Sequence, residues 1–473
     1  MGIHAEYTLP FDRDTVWRWH TRPGAVTRLT PGFLPMRVAS EAASIRSGTT
    51  VFRLPSGQKW VARHLADGYV AGRQFTDVAA NQPVRAATGW RHVHRFEDAG
   101  EGTLLIDDVS ARIPEAVLRP AWAYRQRQLV EDMRFIASLP HAAPKTVAMT
   151  GSSGLVGTHL RAQLTTAGHT VIPLVRGTAG PGERHWDMDN PAPDLLAGVD
   201  GVIHLAGETI MGRFTEEKKR SIRDSRVEPT RRLARLAADS GVEVFVGASA
   251  VGYYGTDAGS VPRAEADGPG EGFLAEVCDA WEHAANVDGM RSVHIRTGLA
   301  LSSAGGLLPV LKASVNAGLT AQFGRGDIWM SWVALDDLTD FYVRALLDET
   351  VSGPVNATAP EPVTNAEMSS TLARLLRRPE IALLLVRDWV RSDYRRVLVA
   401  SDFSEPSEHA LRRARALFPD ARFTLLHGFT IPMLGLMDTG RDAAVAQGRR
   451  QLQDEGAAFL RALIGGKRGL GLL

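Results

Sequence analysis

The chain has 473 residues, of which 44% are hydrophobic, and a formal net charge of +1. This length predicts two to four domains with buried cores, and the near balance of charge excludes a general attraction to nucleic acid or anionic membranes. Cys278 is the only cysteine, so no intrachain disulfide forms, which suits the cytoplasm. We expect neither a secretory signal nor a membrane span, because no apolar run approaches about 18 residues.

Residues 1–143 predict an α+β domain. Residues 6–10 have the pattern of a strand, and Asp12 or Asp14 is placed to cap a short helix after it. Alternating segments separated by turn residues predict further strands, and these cover 36–39, 49–54, 60–65, 69–75, 89–96 and 103–109. A long helix is predicted over 114–139, and 141–144 is expected to be a linker.

An early helix, an antiparallel sheet and a long last helix resemble the START-like helix-grip family of polyketide cyclases and lipid-binding proteins. The resemblance is one of pattern and implies an apolar ligand between sheet and helix. The aromatic residues that either line such a cavity or form an ordinary core are Trp17, Trp60, Trp90, Phe96, Trp122 and Tyr124. His92 and His94 share one strand face, but we expect no metal site because no third ligand is evident.

Residues 146–157 contain the most informative motif of the chain. A short strand-type run at 146–150 leads into three glycines spaced three residues apart, and a helical pattern follows them. A strand, a glycine turn and a helix are the context of a dinucleotide-binding site. Gly151 permits the tight turn, Gly154 lets the backbone approach a pyrophosphate, and Gly157 lets the helix pack closely. The start of the helix offers backbone N–H groups to the phosphates, so the expected cofactor contacts are Gly151, Ser153, Gly154, Leu155, Val156 and Gly157.

The other cofactor contacts are expected after the next strands. The strand predicted at 170–175 ends in Arg176 and not in an acidic residue. An arginine there suits a 2′-phosphate, which favours NADP(H) over NAD(H). Asp187, after a short third strand, is a candidate contact for the adenine. A fourth strand runs into small residues that let a cofactor lie against the backbone, and the expected contacts are Leu205, Ala206, Gly207 and Glu208.

Strands and helices continue to alternate as far as residue 386, with one helix predicted over 215–240. This alternation predicts an α/β domain at 145–386, with a Rossmann-type, doubly wound parallel sheet. The whole chain is therefore expected to contain an α+β domain, this α/β domain and a partial α/β tail.

The motifs TGSSGLVG, HLAGE, SAVGYYG, RTG and SWVALDD occur in this order. Together they resemble the epimerase family branch of the atypical, extended-type short-chain dehydrogenases/reductases, over about residues 145–380. Several members of that branch carry an N-terminal helix-grip domain. The resemblance implies an NADP(H)-binding oxidoreductase or epimerase-like protein that acts on a small molecule.

The chain departs from this pattern at the expected catalytic residues. Working short-chain dehydrogenases use a Tyr-x-x-x-Lys pair, in which lysine lowers the tyrosine pKa for proton transfer. No lysine here follows a tyrosine by four positions; Phe273 and Val277 occupy the corresponding places, and Ala250 replaces the usual serine. The catalytic candidates are then Ser249, to hold a carbonyl oxygen, and Tyr254, to donate a proton. The alternative is that Tyr254 is a turn and packing residue.

Two further ionisable residues, Glu208 and Arg296, lie near predicted strand ends. His204 lies inside an apolar strand, and we expect it to be a core histidine whose hydrogen bonds are satisfied.

Residues 394–465 resemble the first half of a universal stress protein domain, in which an aspartate at the position of Asp402 touches ATP. The second half, with its glycine-rich phosphate loop, is missing, so we expect no ATP site. Strands exposed in such a half domain need a partner, and either another copy of the chain or the preceding domain covers them.

Three hypotheses for function remain open at this point. The first is a cytoplasmic NADP(H)-dependent oxidoreductase or epimerase-like enzyme without the usual catalytic pair. The second is a non-catalytic NADP(H)-binding or sensing protein. The third is a carrier that holds an apolar small molecule in the helix-grip domain.

Overall fold

The structure is a computed structural model of the chain. It describes residues 2–55, 57–140, 143–256, 259–316 and 327–377, and the backbone of the strands Thr320–Phe323, Ala382–Leu385, Arg396–Ala400, Arg422–Leu426 and Leu470–Leu472. Backbone contacts divide the chain into two compact units, one formed by Met1–Val310 and Trp329–Val363 and the other by Leu311–Ile328 and Thr364–Leu473.

The N-terminal region, residues 2–140, is an antiparallel sheet with one long helix. Its strands are β1 (Gly2–Leu9), β2 (Arg37–Ser40), β3 (Thr49–Arg53), β4 (Lys59–His64), β5 (Gln74–Ala79), β6 (Arg91–Ala99) and β7 (Gly102–Ser110). Its helices are α1 (Arg13–Thr21), α2 (Ala25–Leu29), α3 (Val84–Thr88) and α4 (Glu115–Ser138), with a 3-10 turn at Ala66–Gly68. The strand order is β1-β7-β6-β5-β4-β3-β2, so the predicted antiparallel sheet and long last helix are present.

Local sequence signals explain where α1 begins and why one predicted strand is wrong. Asp12 caps α1, because its carboxylate accepts a hydrogen bond of 2.9 Å from the backbone N–H of Thr15. The strand predicted over 69–75 begins only at Gln74. Gly72 has a φ of 71° and permits a turn at this point, which the alternation of residue types did not reveal.

The core of the N-terminal region lies between the sheet and the helices α1 and α4. Side chains from both layers are buried there, and they include Tyr7, Leu9, Val16, Trp19, Phe75, Phe96, Leu105, Leu129 and Met133. Alternate residues of a strand point to one face of a sheet, so the opposite residues of the same strands are more exposed.

The second region of the chain, residues 143–357, contains the parallel sheet. Its strands are β8 (Thr146–Thr150), β9 (Thr170–Val175), β10 (Arg184–His185), β11 (Gly201–His204), β12 (Val244–Ala250), β13 (Arg291–Thr297) and β19 (Gly353–Ala357). Their order is β10-β9-β8-β11-β12-β13-β19, and each neighbouring pair is parallel. The order reverses at β8, which is the topology of a Rossmann-type fold and confirms the predicted sheet.

The helices of this region are α5 (Leu155–Ala167), α6 (Glu216–Asp224), α7 (Val227–Asp239), α8 (Phe273–Ala285) and α10 (Leu335–Leu347), with a 3-10 turn at Val251–Tyr254. The helix α9 (Leu307–Asn316) begins in the first unit and continues into the second, and α11 (Asn365–Leu375) belongs to the second. The small strands are β14 (Leu299–Ser302), β15 (Gly305–Gly306), β17 (Trp329–Met330), β18 (Trp332–Ala334) and β20 (Val363–Thr364).

The single helix predicted over 215–240 is wrong, because this stretch forms the two helices α6 and α7 with a break at Ser225 and Arg226. Pro229 explains the break. Within a continuous helix its ring clashes with the preceding turn, whereas in the first turn of α7 its missing N–H has no helical role.

In the second unit, the described strands are β16 (Thr320–Phe323), paired with β21 (Ala382–Leu385), and β22 (Arg396–Ala400), β23 (Arg422–Leu426) and β24 (Leu470–Leu472) in one parallel sheet. The strands β22 and β23 lie within the segment 394–465. Asp402 lies outside the described residues, and the universal stress protein resemblance stays a prediction.

Among the helices of the described ranges, none is long and apolar enough to cross a membrane.

Candidate functional site

The glycine turn lies between β8 and α5, at the carboxyl edge of the parallel sheet. Gly151 has a φ of 67°, the left-handed conformation that glycine adopts without strain. The backbone N–H of Gly154 donates to the carbonyl oxygen of Gly151 (3.0 Å), and Gly154 is the N-cap of α5. The backbone N–H groups of the first helical turn have no acceptor inside a helix, so they remain available to an anion.

The second and third glycines of the turn differ in what surrounds them. A Cβ atom at Gly157 would overlap the carbonyl oxygen of Gly151 and the backbone of Ser152. A Cβ atom at Gly154 would meet only the carbonyl oxygen of Gly151, at 3.3 Å. Gly157 is therefore required for packing within the chain, whereas Gly154 leaves open space at the start of the helix.

A buried hydrogen-bond chain joins β8 to β11 below this turn. The hydroxyl oxygen of Thr150 accepts hydrogen bonds from the backbone N–H groups of Leu205 and Ala206, both at 3.1 Å. His204 is fully buried between Thr150 (Nδ1 to Oγ1, 2.8 Å) and Thr230 (Nε2 to Oγ1, 2.9 Å). Burial lowers the pKa of His204 to about 3. His204 is thus a neutral core histidine with both ring nitrogens satisfied, as expected.

A cleft of about 580 Å³ lies beside the ends of β9 and β11 and brings Arg176 and Glu208 together. Lys218 donates a hydrogen bond of 2.6 Å to the Glu208 carboxylate, and this bond lowers the pKa of Glu208. Arg176 is exposed, and Arg223 also lines the cleft. The lining of the cleft thus contains two arginines together with four acidic residues, which are Asp189, Glu208, Asp224 and Glu228.

Asp187 is exposed near this cleft, and its carboxylate closes a turn. It accepts hydrogen bonds from the backbone N–H groups of Asp189 (2.9 Å) and Asn190 (3.2 Å), which lower the pKa of Asp187. Met188 and Asp189 line the cleft. The structure thus places the turn that Asp187 stabilises, and not the Asp187 carboxylate itself, on the wall of the cleft.

A second cleft, of about 870 Å³, lies at the start of α5. Ser153, Gly154 and Leu155 line it, together with Arg37 and Arg53 of the N-terminal region. Sequence reasoning did not find these two arginines, because they precede the glycine turn by about a hundred residues and belong to no motif. They add positive charge to the cleft at which the free N–H groups of α5 lie.

Ser249 and Tyr254 belong to one buried polar cluster at the carboxyl ends of β12 and β13. The Ser249 hydroxyl donates to Glu282 Oε1 (2.6 Å), and the Glu282 carboxylate accepts two hydrogen bonds from Arg296, at 2.9 and 2.8 Å. Arg296 Nη1 also donates to the Tyr254 oxygen (2.8 Å), and the Tyr254 hydroxyl lies 2.7 Å from Asn356 Oδ1. The structure thus joins Ser249 and Tyr254 through Glu282 and Arg296.

Electrostatics hold this cluster in one arrangement. Burial by itself lowers the pKa of the Arg296 guanidinium, but the hydrogen bonds with Glu282 and Tyr254 outweigh it and leave that pKa raised. The guanidinium carbon also lies 3.5 Å from the ring centroid of Tyr253, a cation–π contact. A fixed cation therefore lies within hydrogen-bond distance of the Tyr254 phenol oxygen. Glu282 and Asn356 were missed, since nothing in their local sequence marks them.

The helix that carries the Tyr-x-x-x-Lys pair in working enzymes corresponds to α8. Phe273 begins it, and Val277 is buried. Lys219, from α6, has its Nζ 5.8 Å from the ring centroid of Phe273. A lysine is thus close to this place in space although no lysine spacing predicts it.

A separate polar cluster lies inside the N-terminal region. The strand register places Asp77 opposite His92 and Asp107 opposite His94. Ligand atoms of Asp77, His92 and His94 lie within 4.8 Å of one another. The expectation that the two histidines have no third metal-ligand partner is therefore wrong, because Asp77 comes from the neighbouring strand β5.

This cluster borders a cavity of about 180 Å³. Trp60, Trp90 and Trp122 line the cavity. Trp17 and Phe96 instead pack in the core of the N-terminal region. Tyr124 donates a hydrogen bond of 3.3 Å to the backbone of α2. Of the two roles predicted for the aromatic residues, cavity lining therefore applies to the three tryptophans named first, and core packing applies to Trp17 and Phe96.

The reversal of strand order at the glycine turn, with one cleft at the start of α5 and another at the ends of β9 and β11, defines a Rossmann-type nucleotide-binding protein. A model of the NAD dependent epimerase/dehydratase family matches residues 147–357. An epimerase family protein of Mycobacterium bovis is 42% identical over 249 residues, which cover 51% of this chain and 82% of that protein. The human epimerase family protein SDR39U1 is 31% identical over 239 residues, 49% of this chain and 80% of that protein.

A solved structure, described as the nucleoside-diphosphate sugar epimerase from Corynebacterium glutamicum, is 49% identical to this chain with a TM-score of 0.74. The match covers 79% of this chain and 82% of that one. The chain belongs to the epimerase family. Since 79% exceeds the part of the chain that follows residue 144, the structural likeness extends into the N-terminal region.

Proposed function

We propose that the chain binds NADP(H) along the carboxyl edge of its parallel sheet and acts as an oxidoreductase or epimerase on a small molecule. The observation that carries the proposal is Arg176, which lines a cleft at the end of β9, the strand that follows the glycine turn and α5. The turn provides backbone N–H groups for a pyrophosphate, and Arg176 stands where the fold holds the 2′ position of the adenosine ribose.

The residues along this edge suit successive parts of the cofactor. Gly151, Ser153, Gly154, Leu155, Val156 and Gly157 form the pyrophosphate turn, and Leu205, Ala206, Gly207 and Glu208 form the adjacent loop after β11. The turn at Asp187 borders the adenine side. Arg37 and Arg53 add charge on the pyrophosphate side, which supports a dianionic or more highly charged ligand.

Arg176→Ala is expected to weaken NADPH binding by about 10- to 150-fold, because one charged hydrogen bond contributes about 1.5–3 kcal/mol. NADH, which lacks the 2′-phosphate, should bind the variant and the wild type almost equally. Titration of both nucleotides by fluorescence measures the two affinities. Arg235→Ala, at an exposed position of α7, is the matched control. Equal affinities of the wild type for NADPH and NADH would overturn the cofactor preference.

When bound, NADPH supplies a hydride for reduction of a carbonyl group. Tyr254 is then our candidate for delivering the proton to the carbonyl oxygen, with Arg296 as the fixed cation beside its phenol oxygen. Ser249 is the candidate for holding the same carbonyl oxygen. Both hydroxyls must exchange their present partners, Asn356 and Glu282, for the substrate.

Tyr254→Phe is expected to lower NADPH-dependent reduction of activated carbonyls, such as quinones or diketones, at least about tenfold, since general acid help is worth about 10²–10⁴. Initial rates on a carbonyl panel measure the effect. Tyr253→Phe keeps the ring under Arg296 and serves as the control. Turnover that is indifferent to both Tyr254→Phe and Ser249→Ala would leave the enzyme proposal standing but refute this site.

A second function, NADP(H) binding without catalysis, is favoured by a specific observation. The Ser249 and Tyr254 hydroxyls already have hydrogen-bond partners within the chain, and α8 lacks the tyrosine and lysine of working enzymes. Tight NADPH binding without turnover on the whole panel would establish this alternative.

The remaining proposals concern the two ends of the chain. The sheet, the long helix α4 and the tryptophan-lined cavity support a START-like domain at 1–143 that takes an apolar ligand, as a substrate or as cargo. We retain 145–386 for the nucleotide domain and 394–465 for the partial universal stress protein segment. Association of copies through that segment and a cytoplasmic location also stay proposals.

A further inference from the structure

We propose that Asp77, His92 and His94 bind a divalent first-row transition metal ion, such as Zn²⁺, inside the cavity of the N-terminal region. The site is separate from the proposed nucleotide function, since its residues belong to the strands β5 and β6. Two imidazoles and one carboxylate are a common ligand set for such ions, both in zinc sites and in non-haem iron sites.

The distances within the cluster suit an ion between the three side chains. Asp77 Oδ2 lies 3.6 Å from His92 Nδ1 and 3.6 Å from His94 Nε2. Both distances are too long for hydrogen bonds. Ligand bonds of about 2.0–2.1 Å in a tetrahedral site place ligand atoms roughly 3.4 Å apart. The two distances from Asp77 are thus within a few tenths of an ångström of this value, and the three ligand atoms all lie within 4.8 Å of one another.

A second carboxylate orients one of the two imidazoles. His92 Nε2 hydrogen-bonds Asp107 Oδ1 (2.8 Å), whereas His94 Nδ1 lies 2.9 Å from the same oxygen without the alignment of a hydrogen bond. Metal-binding histidines commonly donate their other ring N–H to a carboxylate in this manner. With its proton on Nε2, His92 turns an unprotonated Nδ1 toward the Asp77 carboxylate, an arrangement that a cation between the two stabilises.

The charge and the burial of the cluster are also consistent with a bound metal ion. Asp107 is 1% exposed, His92 4% and His94 5%, so the cluster is shielded from bulk water. Carboxylates buried in this way need a cationic partner, and without a metal ion a protonated histidine of the cluster has to provide it. The Nδ1 atom of His64, buried on the wall of the same cavity, has no hydrogen-bond partner among the described residues. His64 Nδ1 is therefore a further nitrogen atom on the cavity wall that could bind a metal ion or a ligand.

Three protein ligands leave a coordination position open toward the cavity. Trp60, Trp90 and Trp122 surround that space. The ligand class that fits is an apolar molecule, held by the aromatic walls, with one oxygen atom that coordinates the ion.

The test uses the full chain, stripped with a chelator and titrated with Zn²⁺ and Co²⁺. We expect one ion per chain with micromolar or tighter affinity, and visible Co²⁺ absorption of the intensity seen for four- or five-coordinate sites. Asp77→Asn and His94→Gln should each weaken binding by at least about 100-fold, and Asp107→Asn by about 10- to 100-fold. His283→Ala, at an exposed position of α8, should bind like the wild type.

Circular dichroism and the melting temperature of each variant without metal separate loss of ligand from loss of fold. If the carboxylate variants do not fold, the metal stoichiometry and the Co²⁺ spectrum of the wild type still test the proposal. The loss of metal binding in His94→Gln is then the test of the ligand assignment. A wild type that takes up neither ion, or variants that bind as tightly as the wild type, would show that the cluster is only an internal hydrogen-bond network.

Discussion

Gly154→Val is expected to abolish NADPH binding and to leave the chain folded. At Gly154 a Cβ atom meets only one backbone oxygen, at 3.3 Å, and the φ of −71° is one that valine adopts. The added methyl groups would fill the space through which a pyrophosphate approaches the first turn of α5. We expect the affinity to fall below detection, while the free energy of unfolding changes by about 1 kcal/mol or less.

Fluorescence titration with NADPH and thermal unfolding measure the two quantities. Gly268→Val is the matched control, because a Cβ atom at this exposed glycine meets nothing within 4 Å and the residue is remote from the motif in sequence. Gly157→Ala should instead destabilise the fold, because its Cβ atom overlaps the carbonyl oxygen of Gly151. Unchanged affinity in Gly154→Val would mean that the nucleotide binds elsewhere.

Arg28→Met is expected to lower the free energy of unfolding by about 3–5 kcal/mol, the usual cost of breaking a buried ion pair by removing one partner. The Arg28 side chain is 1% exposed and donates to the Asp132 carboxylate through Nε (2.8 Å) and Nη2 (2.5 Å). Its Nη1 lies 2.9 Å from Asp336 of α10. The substitution would leave the Asp132 carboxylate buried without a cation.

Urea unfolding measures this change. Arg119→Ala removes an exposed ion pair with Glu115 one helical turn away, and should alter the free energy of unfolding by less than about 0.5 kcal/mol. The double variant Arg28→Met with Asp132→Leu should regain much of the loss, because no charge is then left buried. A loss below about 1 kcal/mol in Arg28→Met would show that the pair is solvated in solution.

Local sequence determined the parts of this protein that depend on neighbouring residues. The turn from Thr150 to Gly157 follows from a strand-type run, a glycine that permits positive φ and a helical period, and all of these lie within about a dozen residues. The cap at Asp12 is equally local. The prediction failed at 69–75 and at 215–240, where a single glycine and a single proline interrupted a pattern that otherwise continued.

Only the tertiary structure decided which distant residues meet. Asp77 joins His92 because β5 pairs with β6 in one register, and a shift of one residue would turn its carboxylate to the other face of the sheet. Glu282 reaches Ser249 and Arg296 because a helix packs on the ends of two strands. Arg37 and Arg53 line the glycine cleft through the packing of the N-terminal region. The spacing of residues along the chain does not predict such contacts, because they depend on strand register and on the packing of separate layers.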